Sequence, residues 1–180
     1  MGLPDQLTVA RVAAVPFVVG LYIWHFPGHA YWATAVFIAA MATDQVDGWL
    51  ARRAGHSTPL GSLLDPVADK ILVLAVLIVL VGERVFPGWM VAAMVAREFL
   101  VSGLRLAALE RGVVLHARDL GKLKTWAQAV AAAVGGFAAA GTWSDRAAWW
   151  ALLIALILTW LSGIDYARVA PSVLRGRAVA

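Results

Sequence analysis

The sequence predicts an all-α integral membrane protein of six transmembrane helices, with both termini on the cytoplasmic side. Three observations carry this expectation. Of the 180 residues, 62% are hydrophobic and the mean hydropathy is +0.78, beyond an ordinary soluble domain. Several apolar runs approach the roughly 20 residues that cross a hydrocarbon core. Lys and Arg fall almost entirely on one set of alternate loops. The length fits a single domain, 1–180.

The first span is expected from about Leu7 to Trp24, with Asp5 as N-cap and Pro16 as a kink. The amino end carries Asp5 and no early Lys or Arg, unlike a cleaved signal peptide, so this run is expected to stay in the membrane. Pro27-Gly28 marks a turn, and the second span follows from about Tyr31 to Arg53. Gly55 suits a helix C-terminus, Thr58 an N-cap and Pro59 the first helical position. The third span thus starts near Pro59 and ends near Gly82. After Phe86-Pro87-Gly88, the fourth runs from about Trp89 to Arg111 and the fifth from Gly121 to Ala140. Ser144 caps the sixth, which is expected to end near Arg168.

With the amino end inside, the outer loops hold only Arg84 and Arg146 of fifteen Lys and Arg residues. The inner side holds Arg11, Arg52, Arg53, Arg105, Arg111, Arg118, Lys122, Lys124, Arg168, Arg175 and Arg177, while Lys70 and Arg97 lie within spans. Trp24, Trp32, Trp89, Trp143, Trp149 and Trp150 cluster on the outer side and read as an interfacial belt. With no cysteine, no disulfide or thiol chemistry is available. Nothing in the pattern calls for a nucleic-acid partner.

Four of the eleven acidic residues fall within 26 positions, between two long apolar runs. A charge at a transmembrane helix centre costs roughly 2.5–3.5 kcal/mol, so carboxylates near the membrane need a reason. Asp44, Asp47, Gly48 and Ala51 share one helix face, and Gly61, Asp65 and Asp69 share a face of the next. The turn between them implies a tight antiparallel hairpin. At about 1.5 Å per residue, Asp47 and Asp65 lie ~12 and ~10 Å below that turn, and Asp44 and Asp69 both ~16 Å. Two level pairs of carboxylates then face one cleft, which the small residues Gly48, Ala51 and Gly61 keep open. Like charges raise one another's pKa, and divalent cations relieve this. Oxygen-only ligands select Mg²⁺ or Mn²⁺, and four Asp can hold two such ions, a clamp suited to phosphoryl displacement. The plainer alternative is a solvated helix end, or carboxylates paired with Arg52, Arg53 and Lys70. The regular register disfavours it.

The pattern Asp44-x2-Asp47-Gly48-x2-Ala51-Arg52-x8-Gly61-x3-Asp65-x3-Asp69 resembles the signature of the CDP-alcohol phosphatidyltransferases, with no position missing. The resemblance implies displacement of CMP from a CDP-linked lipid by the hydroxyl of a small alcohol. It implies that Asp44, Asp47, Asp65 and Asp69 hold two Mg²⁺ or Mn²⁺ ions, and that Asp69 is also the general base. It implies that Asp44, Asp47, Gly48, Arg52 and Thr58 meet the CDP group, with Ala51 and Gly61 leaving it room. It further implies a homodimer in the bacterial cytoplasmic membrane, its active site facing the cytoplasm.

A second polar stretch runs Arg97-Glu98 to Arg105, then Arg118-Asp119-Leu120-Gly121-Lys122-Leu123-Lys124-Thr125. Arg97 is a charge within a span and pairs with Glu98 or with an Asp of the cluster. Arg97, Arg105, Arg118, Lys122 and Lys124 form a candidate anion pocket beside the cleft, against the alternative of a basic loop touching anionic headgroups. Arg97-Glu98-x5-Leu104-Arg105, Gly121-Lys122-x-Lys124-Thr125-x2-Gln128 and Leu3-Pro4-Asp5-Gln6-Leu7-Thr8-x2-Arg11 resemble the branch of the family whose acceptor is sn-glycerol 3-phosphate, with Asp5 where Asn is expected. The similarity covers about Leu3 to Gln128, and the last 50 residues read as hydrophobic helix plus a basic tail. CDP-diacylglycerol, sn-glycerol 3-phosphate and membrane lipids are the implied partners, with phosphatidylglycerol phosphate and CMP as products. Two rivals are a sister transferase with another acceptor (inositol phosphate, serine or phosphatidylglycerol) and a divalent-cation transporter.

The remaining polar residues read plainly. Of the four histidines only His25 and His29 have ligand spacing. They straddle Pro27 on the outer side and read as surface histidines. Gly135 and Gly136, in an alanine-rich fifth span, invite close helix packing and a dimer face.

Overall fold

The computed structural model describes residues 3–54, 59–110 and 119–174. The side chains of 3–11, 44–54, 59–69, 109, 119–120, 165 and 167–174 lie outside that description. Six helices occupy the described residues: α1 Leu3–Ile23, α2 His29–Ala54, α3 Pro59–Gly82, α4 Gly88–Glu110, α5 Asp119–Ala139 and α6 Asp145–Leu174.

Local chemistry explains the helix ends. Pro59 opens α3, where a missing N–H costs nothing. At α5 the Thr142 N–H reaches the Phe137 carbonyl (3.0 Å) and the Gly141 N–H the Ala138 carbonyl (2.8 Å). Gly141 has φ +71°, so this is a Schellman end with glycine at the left-handed position. α3 ends the same way, with Val85 N–H on the Leu80 carbonyl (3.1 Å) and Arg84 N–H on that of Val81 (3.1 Å). There, however, Arg84 takes the left-handed position, at φ 60°. Ser144 caps α6 as expected, its Oγ accepting from the Arg146 N–H at 3.2 Å.

Two expectations are corrected. α1 begins at Leu3, so Asp5 lies in its first turn rather than at the cap, where a carboxylate still favours the helix dipole. α6 continues past Arg168 to Leu174. The charged residues there end an apolar run, and a charge does not by itself end a helix.

α1 packs against both α2 and α3, α5 against α2, α3 and α6, and α4 against α6 and α3. The core is built from Val18 and Tyr22, Phe37, Leu72, Leu77 and Leu80, Met90 and Met94, Ala131 and Ala132, and Leu152. Small residues let the backbones approach. A Cβ on Gly136 would sit 2.2 Å from Thr34 Oγ1 and 2.6 Å from the Tyr22 hydroxyl. Thr34 gives its proton to the Ala30 carbonyl (2.6 Å), so the Tyr22 hydroxyl donates to Thr34 Oγ1 at 2.9 Å. Gly135 faces Phe86 and Leu80 in the same way. Both glycines therefore serve packing inside the chain and do not form a dimer face.

α2 and α3 are the two arms of the expected hairpin, whose facing side chains lie outside the described residues. Among the described residues their principal neighbours are α1 and α5, each of which packs against both. Four intervening residues hold Ala54 and Pro59 within about 18 Å.

The α1–α2, α3–α4 and α5–α6 turns gather at one end of the bundle. His29 Nε2 lies 3.9 Å from Glu83 Oε1, Tyr31 meets Phe137 with ring centroids 6.0 Å apart, and Phe137 stacks on Trp143 at 5.9 Å. Trp24, Trp32, Trp89, Trp143 and Trp150 are exposed around this end. Large apolar side chains also cover the outside: Phe17, Ile78, Phe99, Leu100, Leu106, Val130, Ile154, Ile157 and Trp160 are all exposed, more than a water-soluble surface tolerates as contiguous patches. Within α6, Asp145–Ile164 is long and apolar enough to cross a membrane, with mean hydropathy 2.0. Among the described residues the shorter apolar stretches are Val12–Ile23 and Lys70–Gly82.

Candidate active site

Asp44, Asp47, Gly48, Ala51 and Arg52 lie in the last three turns of α2. Gly61, Asp65 and Asp69 lie in the first three turns of α3. Both helical segments exist as expected, while these side chains fall outside the described residues, as do Thr58 and Arg118 altogether. The donor set of the motif is four carboxylates, oxygen only, which fits a hard cation such as Mg²⁺ or Mn²⁺.

Next to Asp69 in sequence, Lys70 opens a polar core that runs through four helices. Its Nζ lies 3.8 Å from Glu98 Oε2 and donates to Ser102 Oγ at 3.2 Å. Glu98, on α4, is 4% exposed and is the hub. Arg97 Nη1 meets its Oε1 at 2.9 Å, Lys124 Nζ donates to the same oxygen, and Gln128 Nε2 approaches it at 3.5 Å. Gln128 also donates to Thr159 Oγ1 at 3.0 Å, and Arg97 Nη2 to Ser162 Oγ at 2.9 Å. Two turns further along α4, Arg105 donates to the Tyr166 hydroxyl, its guanidinium carbon 4.9 Å from that ring's centroid.

Among the described residues three cations surround one carboxylate, a formal excess of two positive charges. Burial makes each unmatched charge expensive. The guanidinium Nε–H groups of Arg97 and Arg105 are buried without a hydrogen-bond partner among the described residues. Such a cluster is prepared to take an anion, and Arg presents a planar fork to a phosphate.

The expected cations separate here. Arg97 pairs with Glu98 as anticipated, and Lys124 is buried on the same carboxylate. Arg105 is half-buried against α6, and Lys122 is exposed. Glu98 as hub, Lys70, and the α6 residues Thr159, Ser162 and Tyr166 were not singled out by the sequence. Gly163 belongs with them: a Cβ there would sit 3.0 Å from Arg97 Nε, so the lack of a side chain lets the guanidinium lie close against α6. The signal was present as polar residues at i, i+3 and i+7 on one face of an otherwise apolar helix.

A groove of 420 Å³ opens between α2 and α5, lined by Phe37, Ile38, Met41, Ala42, Thr125, Trp126, Ala129, Val130 and Ala133. Its lining is apolar. It ends two residues short of Asp44 on α2 and beside Lys124 on α5.

At the far end of the bundle, His25 is exposed, as expected of a surface histidine, while His29 is half-buried beside it. With Glu83 they place one ligand atom each within 4.8 Å of one another.

The chain matches the CDP-alcohol phosphatidyltransferase family over residues 1–161. It is 43% identical over 141 residues to the CDP-diacylglycerol–glycerol-3-phosphate 3-phosphatidyltransferase of Bacillus subtilis (strain 168), covering 72% of this chain and 73% of that one. It is 41% identical over 136 residues to the protein of the same name from Escherichia coli (strain K12), covering 73% and 74%. With the aspartate register intact on the two helices that carry it, and with the match extending through the cationic core into α6, the chain belongs to the CDP-alcohol phosphatidyltransferase family.

Proposed function

We propose that this chain transfers the phosphatidyl group of CDP-diacylglycerol to sn-glycerol 3-phosphate, giving phosphatidylglycerol phosphate and CMP. The relatives named for that reaction support it. The observation that carries it in this molecule is the cation excess around Glu98, joined to the Asp-bearing half of α3 through Lys70. An acceptor that is itself a phosphate monoester needs such a pocket, whereas a neutral alcohol does not.

In this reading all six helices span the membrane and both termini are cytoplasmic. CDP-diacylglycerol lies in the inner leaflet with a tail in the α2–α5 groove. Gly48, Arg52 and Thr58 meet its CDP group, and Ala51 and Gly61 leave it room. Asp44, Asp47, Asp65 and Asp69 hold two divalent cations, which when bound neutralise charge on the CMP leaving group. The phosphate of glycerol 3-phosphate sits among Arg105, Arg118, Lys122 and Lys124, with Arg97 behind them. Asp69 takes the proton of its 1-hydroxyl. That oxygen attacks the phosphorus bonded to diacylglycerol, and the bond to CMP breaks.

The test is CMP release from CDP-diacylglycerol by the purified chain, offered each candidate alcohol separately. Glycerol 3-phosphate should be the one that triggers it. Release triggered instead by inositol phosphate, serine or phosphatidylglycerol would move the assignment to a sister reaction. Asp69→Asn should abolish turnover while sparing most CDP-lipid binding, and near-normal turnover by that variant would remove Asp69 as the base.

A further inference from the structure

We propose that His25, His29 and Glu83 form a zinc-class divalent-metal site that clamps the turn between α1 and α2 to the end of α3, at the opposite end of the bundle from the aspartates. The hydrogen bonds fix the chemistry. His25 Nδ1 lies 2.7 Å from the Ile23 carbonyl, and His29 Nδ1 lies 3.1 Å from that of Phe26. A carbonyl only accepts, so each Nδ1 carries the hydrogen and each neutral ring holds its lone pair on Nε2. This is how metal-binding imidazoles are usually oriented, with the second nitrogen donating to a fixed acceptor.

His29 Nε2 is buried and has no hydrogen-bond partner among the described residues. Its nearest charged neighbour is Glu83 Oε1 at 3.9 Å, too long for a hydrogen bond. The rings of His25 and His29 sit with centroids 5.1 Å apart, and all three ligand atoms lie within 4.8 Å. Ligand atoms around a tetrahedral zinc, about 2.0–2.1 Å from the metal, are about 3.3 Å apart. The observed set closes to that when the ligand atoms approach one another by up to about 1.5 Å, within reach of rotation of the Glu83 and His25 side chains.

Two further features suit a cation. α1 ends at Ile23 and α3 at Gly82, so two helix C-termini direct their partial negative charge here, against the single N-terminus of α2. The left-handed Arg84 closes α3 immediately after Glu83 and holds that residue in place. Two imidazole nitrogens and one carboxylate oxygen suit Zn²⁺ rather than Mg²⁺. His25 is exposed, so water can fill the fourth position.

The test is equilibrium dialysis of the purified full-length protein against Zn²⁺ in excess Mg²⁺, which occupies oxygen-donor sites. One Zn²⁺ should be retained per chain. His25→Asn, His29→Asn and Glu83→Gln should each weaken retention more than about tenfold, and Asp65→Asn should leave it unchanged. Co²⁺ in place of Zn²⁺ should give the intense visible absorption of a tetrahedral site in the unaltered chain, lost in His29→Asn. Transferase turnover in metal-chelated buffer with Mg²⁺ restored checks that the variants are folded. The site is overturned if the unaltered chain retains no Zn²⁺ and shows no tetrahedral Co²⁺ band. It is equally overturned if the folded histidine variants bind as tightly as the original, or if only Asp65→Asn loses the metal.

Discussion

Glu98 is the side chain on which the cationic core turns. It is almost wholly buried, and Lys70, Arg97 and Lys124 converge on it. Removing one partner of a buried ion pair costs about 3–5 kcal/mol, because the other charge is left uncompensated. Glu98→Gln keeps the shape and the bond that Arg97 donates to Ser162, yet should lower stability by about that amount, read as a drop in thermal midpoint in detergent. Adding Lys124→Met removes one stranded cation and should restore part of the loss. A double-mutant cycle would then show a coupling of about 0.5–3 kcal/mol between the two positions. Additive losses would mean that Lys124 and Glu98 do not act on each other. The sequence marked Arg97, Arg105 and Lys124 as cations, but a Glu beside an Arg reads as a local pair. Its contacts with Lys70, 28 positions earlier, and Lys124, 26 positions later, come only from packing four helices together.

Helix ends were the most legible elements, because single residues set them. Gly28 and Gly141 take positive φ, Ser144 caps α6, and Pro59 opens α3. The end of α3 is the exception, since Arg84 stands in the left-handed position that elsewhere falls to glycine. A left-handed residue with a Cβ costs roughly 1–2 kcal/mol, part of which glycine gives back through its looser unfolded chain. Arg84→Gly should therefore stabilise the protein by about 0.5–1 kcal/mol, measured with Zn²⁺ chelated so that only the backbone effect is read. An unchanged or lower thermal midpoint would mean that the Arg84 side chain contributes more than its backbone costs. What the sequence missed at this scale was partner choice. Nothing in the pattern showed that α1 and α5 would each pack against both α2 and α3. The small residues that let α5 fit, Gly135 and Gly136, looked equally suited to a surface between two copies.

The whole molecule has two chemically different ends. One gathers three turns, the tryptophans and the His25–His29–Glu83 cluster. The other carries the aspartate-bearing halves of α2 and α3 and the cationic core that begins at Lys70. That polarity was readable from the asymmetry of Lys and Arg, because a membrane sorts charge along its normal regardless of how helices pack. α4 and α5 carry their charges within the bundle, where Arg97 and Lys124 converge on Glu98. If the polar end is cytoplasmic, soluble glycerol 3-phosphate and CMP exchange with the cytosol directly. The absence of any native cysteine makes this measurable one site at a time. Thr142→Cys, in the turn between α5 and α6, should react with a membrane-impermeant maleimide added outside spheroplasts. Arg175→Cys should react only after permeabilisation. The reverse pattern would place the aspartates on the outer face, away from the acceptor supply, and would overturn the proposed orientation while leaving the transferase chemistry to be tested on its own.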